Sequence, residues 1–225
     1  VAYRSQLVDG KWSDWKSVAT IKDGKTSTTD TTVESGAIYK YSVRACQGKS
    51  YSERKSSATI SFLAQPTLKI SNTETGIKGS WETINGATGY VITRSEYSDA
   101  DKKFIATVKL GTAGATVKSF TDKTAKEGVK YKYTVTAIND YGSSVASSGK
   151  VLRRLAQPVV TIENANGAIK GKWNQVTGAT NYAVYRSEFV DGAWTKWKKL
   201  GTAGATAKSF TDKTVKSGVK YKYRV

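Results

Sequence analysis

VKYKYTVTA, residues 129–137, alternates with a period of two: Val129, Tyr131, Tyr133, Val135 and Ala137 share one parity, and Lys130, Lys132, Thr134 and Thr136 the other. Such alternation marks a strand with one face buried and the other in water. Working outward, similar short stretches are expected at 67–71, 76–81, 90–95, 104–110, 117–121 and 144–151, between Gly, Asn, Asp and Ser turn residues. Seven short strands with no helical period predict an all-β sandwich. The two prolines, Pro66 and Pro158, each open a first strand, where a missing N–H removes no inner ladder bond.

The stretch recurs. VKYKYRV occupies 219–225, GTAGATVKSFTDKT (111–124) returns at 201–214 with one change, and LAQP stands at 63–66 and 155–158. YRSQLVDGKWSDWKS from Tyr3 matches YRSEFVDGAWTKWKK from Tyr185. Pro66 to Pro158 and Trp81 to Trp173 are both 92 positions. A unit of roughly 90 residues can own a core, whereas solenoid repeats run roughly 20 to 50. The expected division is 1–62, 63–154 and 155–225. The middle copy is complete; the first is open at its N-terminal side and the last at its C-terminal side, so the sequence reads as a window on a longer protein. The linker 149–157 has no Gly/Ser-rich run, which predicts a semi-stiff series of sandwiches, an extended rod.

Composition narrows the chemistry. There is no His in 225 residues, which removes His-based triads and the commonest metal ligand. The one cysteine, Cys46, cannot form an intrachain disulfide and has no His to activate it. Asp30, Asp122 and Asp212 recur as Thr-Asp, one per copy; each is expected to accept backbone bonds in a turn, and a single carboxylate cannot do paired acid–base work. No phosphate-cradling glycine motif is present. The reading is therefore not an enzyme, with no cofactor and no metal. A net charge of +18, from 36 basic against 18 acidic residues, favours anionic partners such as wall polymers or acidic glycans. Nucleic acid has only the charge in its favour.

Trp81 and Trp173, with Tyr90 and Tyr182 on the next strand, read as core aromatics. Tyr39, Tyr131 and Tyr221 close the pattern Gly-x-x-Tyr and read as tyrosine corners, the phenol bonding a backbone group upstream. The surface candidates are Trp12 and Trp15 in the first copy, and Trp194 and Trp197 with Arg186 in the third. Three apart on a regular strand, two tryptophans face opposite sides, so one of each pair is expected buried and one exposed. The exposed one, beside cationic side chains, is the candidate ligand contact. The middle copy has Lys102, Lys103 and Phe104 there.

The order of Pro, core Trp, Tyr on the third strand and the corner running into Tyr-x-Tyr-x-Val-x-Ala is similar to fibronectin type III domains. More narrowly, GATGYVITRSE (86–96), TDKTAKEGVKYKYTVTA (121–137) and TDKTVKSGVKYKYRV (211–225) resemble the fibronectin type III repeats of Gram-positive bacterial surface and secreted proteins. The resemblance implies tandem immunoglobulin-like sandwiches with an extracellular or cell-surface location. It implies a spacer or stalk with adhesive, glycan or wall-polymer contact. An accessory region of a secreted carbohydrate-active enzyme and a module of a phage or virion appendage are the alternatives.

Overall fold

The computed structural model describes residues 1–22 and 24–225, and all its regular structure is strand. The first copy holds β1 (Ala2–Val8), β2 (Lys11–Trp12), β3 (Lys16–Ala19), β4 (Ile38–Val43), β5 (Cys46–Gln47), β6 (Ser50–Tyr51), β7 (Lys55–Ser56) and β8 (Ile60–Ser61). The second holds β9 (Lys69–Thr73), β10 (Gly76–Ser80), β11 (Gly89–Ser98), β12 (Lys103–Gly114), β13 (Ser119–Asp122), β14 (Lys130–Asn139), β15 (Gly142–Ser143) and β16 (Lys150–Arg153). The third holds β17 (Val160–Ala165), β18 (Ala168–Trp173), β19 (Asn181–Val190), β20 (Ala193–Trp194), β21 (Lys198–Gly204), β22 (Ser209–Asp212) and β23 (Tyr221–Arg224). The chain divides into two compact units, Val1–Lys123 with Tyr131–Leu152, and Thr124–Lys130 with Arg153–Val225.

In the first unit, β12-β11-β14-β15 forms one antiparallel sheet and β13-β10-β9 another. The alternating stretch is the core strand: Tyr131, Tyr133, Val135 and Ala137 are fully buried. The facing sheet meets it through aromatics, Trp81 lying 5.3 Å from Tyr90 and Phe120 5.5 Å from Tyr133, ring centre to ring centre. Gly79 makes this contact possible, because a Cβ there would come within 2.1 Å of the Phe120 ring.

The expected strand at 144–151 breaks up. Residues 144–149 leave the ladder because serine hydroxyls take the place of carbonyls. Ser144 Oγ accepts the Ala137 N–H at 3.0 Å and Ser147 Oγ accepts the Val135 N–H at 2.9 Å. The serine N–H groups bond back to the carbonyls of the same two residues. Such local side-chain bonds compete with sheet pairing.

The first copy forms a sheet of order β2-β1-β4-β7, with β3 on β1 and β8 on β4. In the later copies β13 pairs with β10 and β22 with β18. The corresponding stretch of the first copy, 27–30, has no such neighbour and is not a strand. The face bearing Tyr39 and Tyr41 lines a cleft of about 480 Å³ with Ala2, Val33 and Phe62.

The first two copies meet at two turns. Asn85 Nδ2 donates to the Ser35 carbonyl at 2.8 Å, and Ser35 Oγ donates to the Asn85 carbonyl at 3.0 Å. Between them Gly36 and Gly86, both at positive φ, pack backbone on backbone; a Cβ on Gly86 would lie 2.1 Å from the Gly36 Cα. The Tyr141 carbonyl accepts the Ser61 N–H at 3.3 Å.

In the second unit, β17-β18-β22 forms one sheet, and β19 pairs with β20, β21 and β23 in the other. Trp173, Val176, Tyr182 and Val184 form its buried cluster. Gly171 underlies Phe210 as Gly79 underlies Phe120.

Candidate functional site

The site is built on the outward face of the strands that carry the alternating repeat. In the third copy β19 and β23 pair so that Ser187 stands opposite Lys222 and Tyr185 opposite Arg224. Ser187 is small, and the Lys222 stem crosses it to place Nζ 4.5 Å from the Trp194 ring centre and 5.2 Å from Trp197. Arg224 lies over the other neighbours, 4.6 Å from Trp197 and 4.9 Å from Tyr185. Phe189 meets Trp194 edge-on at 5.2 Å. The result is a ladder of alternating rings and cations.

The first copy builds the same ladder and lengthens it. Ser5 pairs with Lys40, whose Nζ lies 4.3 Å from Trp12 and 5.4 Å from Trp15. Arg54 lies 5.3 Å from Trp15 and 4.6 Å from Tyr3, and Arg44 lies 5.2 Å from Tyr3 and 3.9 Å from Tyr51. In the middle copy Lys132, opposite Ser95, caps Phe104 at 5.0 Å. One lysine position and one serine position thus recur through all three copies, while the ring they hold changes.

This arrangement corrects the expectation that each tryptophan pair straddles its strand. Trp12 and Trp194 are 37% and 42% exposed, Trp15 and Trp197 are half-buried, and both members of a pair contact one lysine. The cause is a break in pairing between them. β2 ends at Trp12 and β3 begins at Lys16; β20 ends at Trp194 and β21 begins at Lys198. The Ser13 N–H bonds the Gln6 carbonyl at 2.9 Å, and Ser5 Oγ donates to the Ser13 carbonyl at 2.6 Å. Thr195 does the same with Glu188 and Ser187. Bulged residues reset the in–out parity of a strand, so the two indoles arrive on one face.

Arg186 is also corrected. It is 6% exposed, its Nη1 donating to Asp212 Oδ2 and Thr214 Oγ1 at 2.7 Å and its Nη2 pairing with Glu188. Its parity on β19 is inward, toward Tyr221, whose ring lies 5.0 Å away. A ligand on the ladder does not reach it.

Arg186 belongs instead to a buried cluster present in every copy. Arg4, Arg94 and Arg186 bond Asp30, Asp122 and Asp212 at 2.8, 2.7 and 2.7 Å. Tyr41, Tyr133 and Tyr223 donate their phenols to the same carboxylates at 3.1, 2.7 and 3.0 Å. Asp30 and Asp212 also accept the N–H groups of Thr32 and Thr214 at 2.9 Å, the turn role read from sequence. Burial alone would raise Asp30, but the bonds from Thr32 and Tyr41 and the charge of Arg4 hold its carboxyl below the ordinary value. Burial likewise opposes, and Thr214, Arg186 and Tyr223 outweigh, the same effect at Asp212. Burial and the bond to Asp30 push Tyr41 up to about 12. The ion pair was missed from sequence, although an Arg-Ser dipeptide with Arg on the inward parity recurs in each copy.

The tyrosines read as structural are placed as follows. Tyr39 and Tyr221 accept the N–H of Glu34 and Lys216 at 3.0 and 2.8 Å, five residues upstream. Tyr90 and Tyr182 accept the N–H of Ile84 and Val176 at 2.7 and 2.8 Å. The Tyr90 bond fixes the loop that carries Asn85 and Gly86 into the joint between copies. Trp81 and Trp173 are buried, 3% and 4% exposed. Cys46 is a free, exposed thiol on β5. Among the described residues no group of three His, Cys, Asp or Glu could hold a metal ion, and no helix is long and apolar enough to cross a membrane.

Two facing antiparallel sheets, an inter-sheet tryptophan and tyrosines tied back to the preceding loop define immunoglobulin-like sandwich modules. The family model described as fibronectin type III domain, SaeA third domain, matches residues 65–155 and again 158–225. The chain belongs to the fibronectin type III family, with its domains in tandem. Solved structures similar to it include the FN1–FN3 domains of chicken CNTN1, at 12% identity over 99% of this chain and 83% of that one, with a TM-score of 0.39. A two-domain fibronectin type III segment of chicken tenascin is 14% identical over 69% of this chain and 86% of its own, TM-score 0.33. The FN5 domain of Drosophila Lar is 20% identical over 40% of this chain and 95% of its own, TM-score 0.33. No curated protein sequence matches the chain.

Proposed function

We propose that this chain is a non-catalytic extracellular repeat region of a bacterial surface protein, a spacer that also adheres to anionic or glycan wall polymer. Its modules are residues 1–62, 63–154 and 155–225. The observation that carries the reading is the joint between the first two copies. Asn85 and Ser35 exchange hydrogen bonds at 2.8 and 3.0 Å around the packed glycines Gly36 and Gly86. A contact without side-chain bulk at its centre, bracketed by directional bonds, restricts bending between modules. That property serves a stalk and has no use in a freely linked accessory domain. The net charge of +18 favours wall polymers carrying negative charge. Small-angle scattering tests the spacer: an elongated particle, insensitive to protein concentration, is expected, and a compact globule would refute it.

A further inference from the structure

We propose that the ring–cation ladder binds a linear polymer of phosphodiester units, a poly(glycerol phosphate) of wall type, laid along the outer face of the sheet. The proposal rests on the reading of the chain as a contact for anionic polymer and specifies the chemistry. Lys40, Arg44 and Arg54 in the first copy, and Lys222 and Arg224 in the third, are the contacts.

These cations differ from the buried arginines in what neutralises them. Arg4, Arg94 and Arg186 are paired with carboxylates. Among the described residues no ion pair involves Lys40, Arg44, Arg54, Lys222 or Arg224, which lie instead over aromatic rings. A ring face attracts a cation without cancelling its charge and leaves the N–H groups at its edge free to donate. Holding long side chains between rings also removes much of the ordering cost that flexible surface lysines meet on binding.

In the third copy the spacing fits a regular chain of charges. Lys222 and Arg224 are two residues apart on β23, and residues at that separation stand about 6.8 Å apart along a strand. Successive phosphates joined by a three-carbon diol lie at a similar distance. The rings themselves argue against other ligands. Trp15 and Trp197 each carry two cations, and Trp194 carries Lys222 and the Phe189 edge. Stacking of a nucleobase needs an open aromatic face, and so does stacking of a pyranose. The half-buried Trp15 and Trp197 have ring surface taken up by two cations each, and Trp12 and Trp194 each have one cation over the ring. Cations already seated on the rings, with their charge unpaired, favour a polymer recognised through its charge.

Titration calorimetry of the whole chain with synthetic poly(glycerol phosphate), with salt varied, tests this. Charge-matched single-stranded DNA, a sulfated glycan and a neutral chitooligosaccharide serve as comparisons. Poly(glycerol phosphate) is expected to bind, with affinity falling steeply as salt rises, as for other polyanions whose counterions are released. The variant Lys40→Gln/Lys222→Gln should lose about tenfold or more, as removal of charge-assisted hydrogen bonds does. Lys40→Arg/Lys222→Arg should retain binding, and Lys78→Gln/Lys109→Gln, which removes the same charge elsewhere, should leave it unchanged. Thermal melting of each variant separates lost binding from lost fold. Equal losses in the two Gln variants would overturn the ladder as the site. Tighter binding of the DNA, or of the sulfated glycan, would overturn the phosphodiester assignment while leaving the polyanion reading intact. No binding of any anionic polymer at low salt would overturn both.

Discussion

Lys222 Nζ stands 4.5 Å from the ring centre of Trp194 and 5.2 Å from that of Trp197, so one ammonium is shared by two indoles three residues apart. Its counterpart Lys40 is shared in the same way by Trp12 and Trp15. Exposed cation–ring contacts contribute about 0.5–1 kcal/mol each. A double-mutant cycle on Trp194→Ala and Lys222→Ala, followed by urea unfolding, should give a coupling energy in that range. A coupling near zero would mean that the ring and the ammonium are neighbours without being partners.

Breaking a buried ion pair on one side leaves the other charge stranded, which costs about 3–5 kcal/mol. Asp212→Asn removes the buried carboxylate from Arg186, which is 6% exposed, and leaves only the more exposed Glu188 to pair with it. The third copy should then unfold at markedly lower urea while the second, with Arg94 and Asp122 intact, is unaffected. Loss below about 1 kcal/mol, the worth of an exposed pair, would show that water reaches the cluster.

The same cluster sets the response to pH. The Asp30 and Asp212 carboxyls are held below their ordinary value of 3.8, so the unfolded chain binds more protons than the folded one as pH falls. Their stabilisation is complete above that value and is lost as pH falls through the lower folded ones. Tyr41 shifts the other way, from 10.0 to about 12, so its contribution is complete below 10 and is lost as pH rises toward 12. Melting temperature against pH should fall at both ends, and Tyr41→Phe should abolish the part of the alkaline fall that Tyr41 causes.

How much of this was readable in the sequence follows from what sets each feature. Parity along 129–137 identified the buried strand because period two is an intrinsic property of an extended chain. The parity of Trp12 and Trp15 could not be read the same way. The bulge between them depends on Ser13 bonding Gln6 and Ser5 across the hairpin, a pairing with no signature in spacing alone. Arg186 looked like a surface residue because its partner Asp212 is 26 positions away. The strand expected at 144–151 failed for a local reason, the ladder positions taken by the hydroxyls of Ser144 and Ser147.

Gly79 and Gly171 are fixed by the rings above them. A Cβ would come within 2.1 and 2.0 Å of Phe120 and Phe210. Overpacking of this kind costs about 1–3 kcal/mol, so Gly79→Ala and Gly171→Ala should each destabilise their own copy by that amount. Pairing each with Phe→Leu at the overlying ring should recover part of the loss, and failure of that rescue would place the strain elsewhere.

The joint between the first two copies is where the spacer reading is most exposed to test. Cys46 is the chain's one cysteine and is exposed in the first copy, so a spin label there, paired with one at Lys78→Cys on β10, reports the joint directly. Double electron–electron resonance should give a single narrow distance distribution. It should broaden in the Gly86→Val variant, whose Cβ would meet the Gly36 backbone at 2.1 Å. A broad distribution in the unaltered joint would contradict the account, because copies that swing freely cannot act as a spacer of fixed geometry.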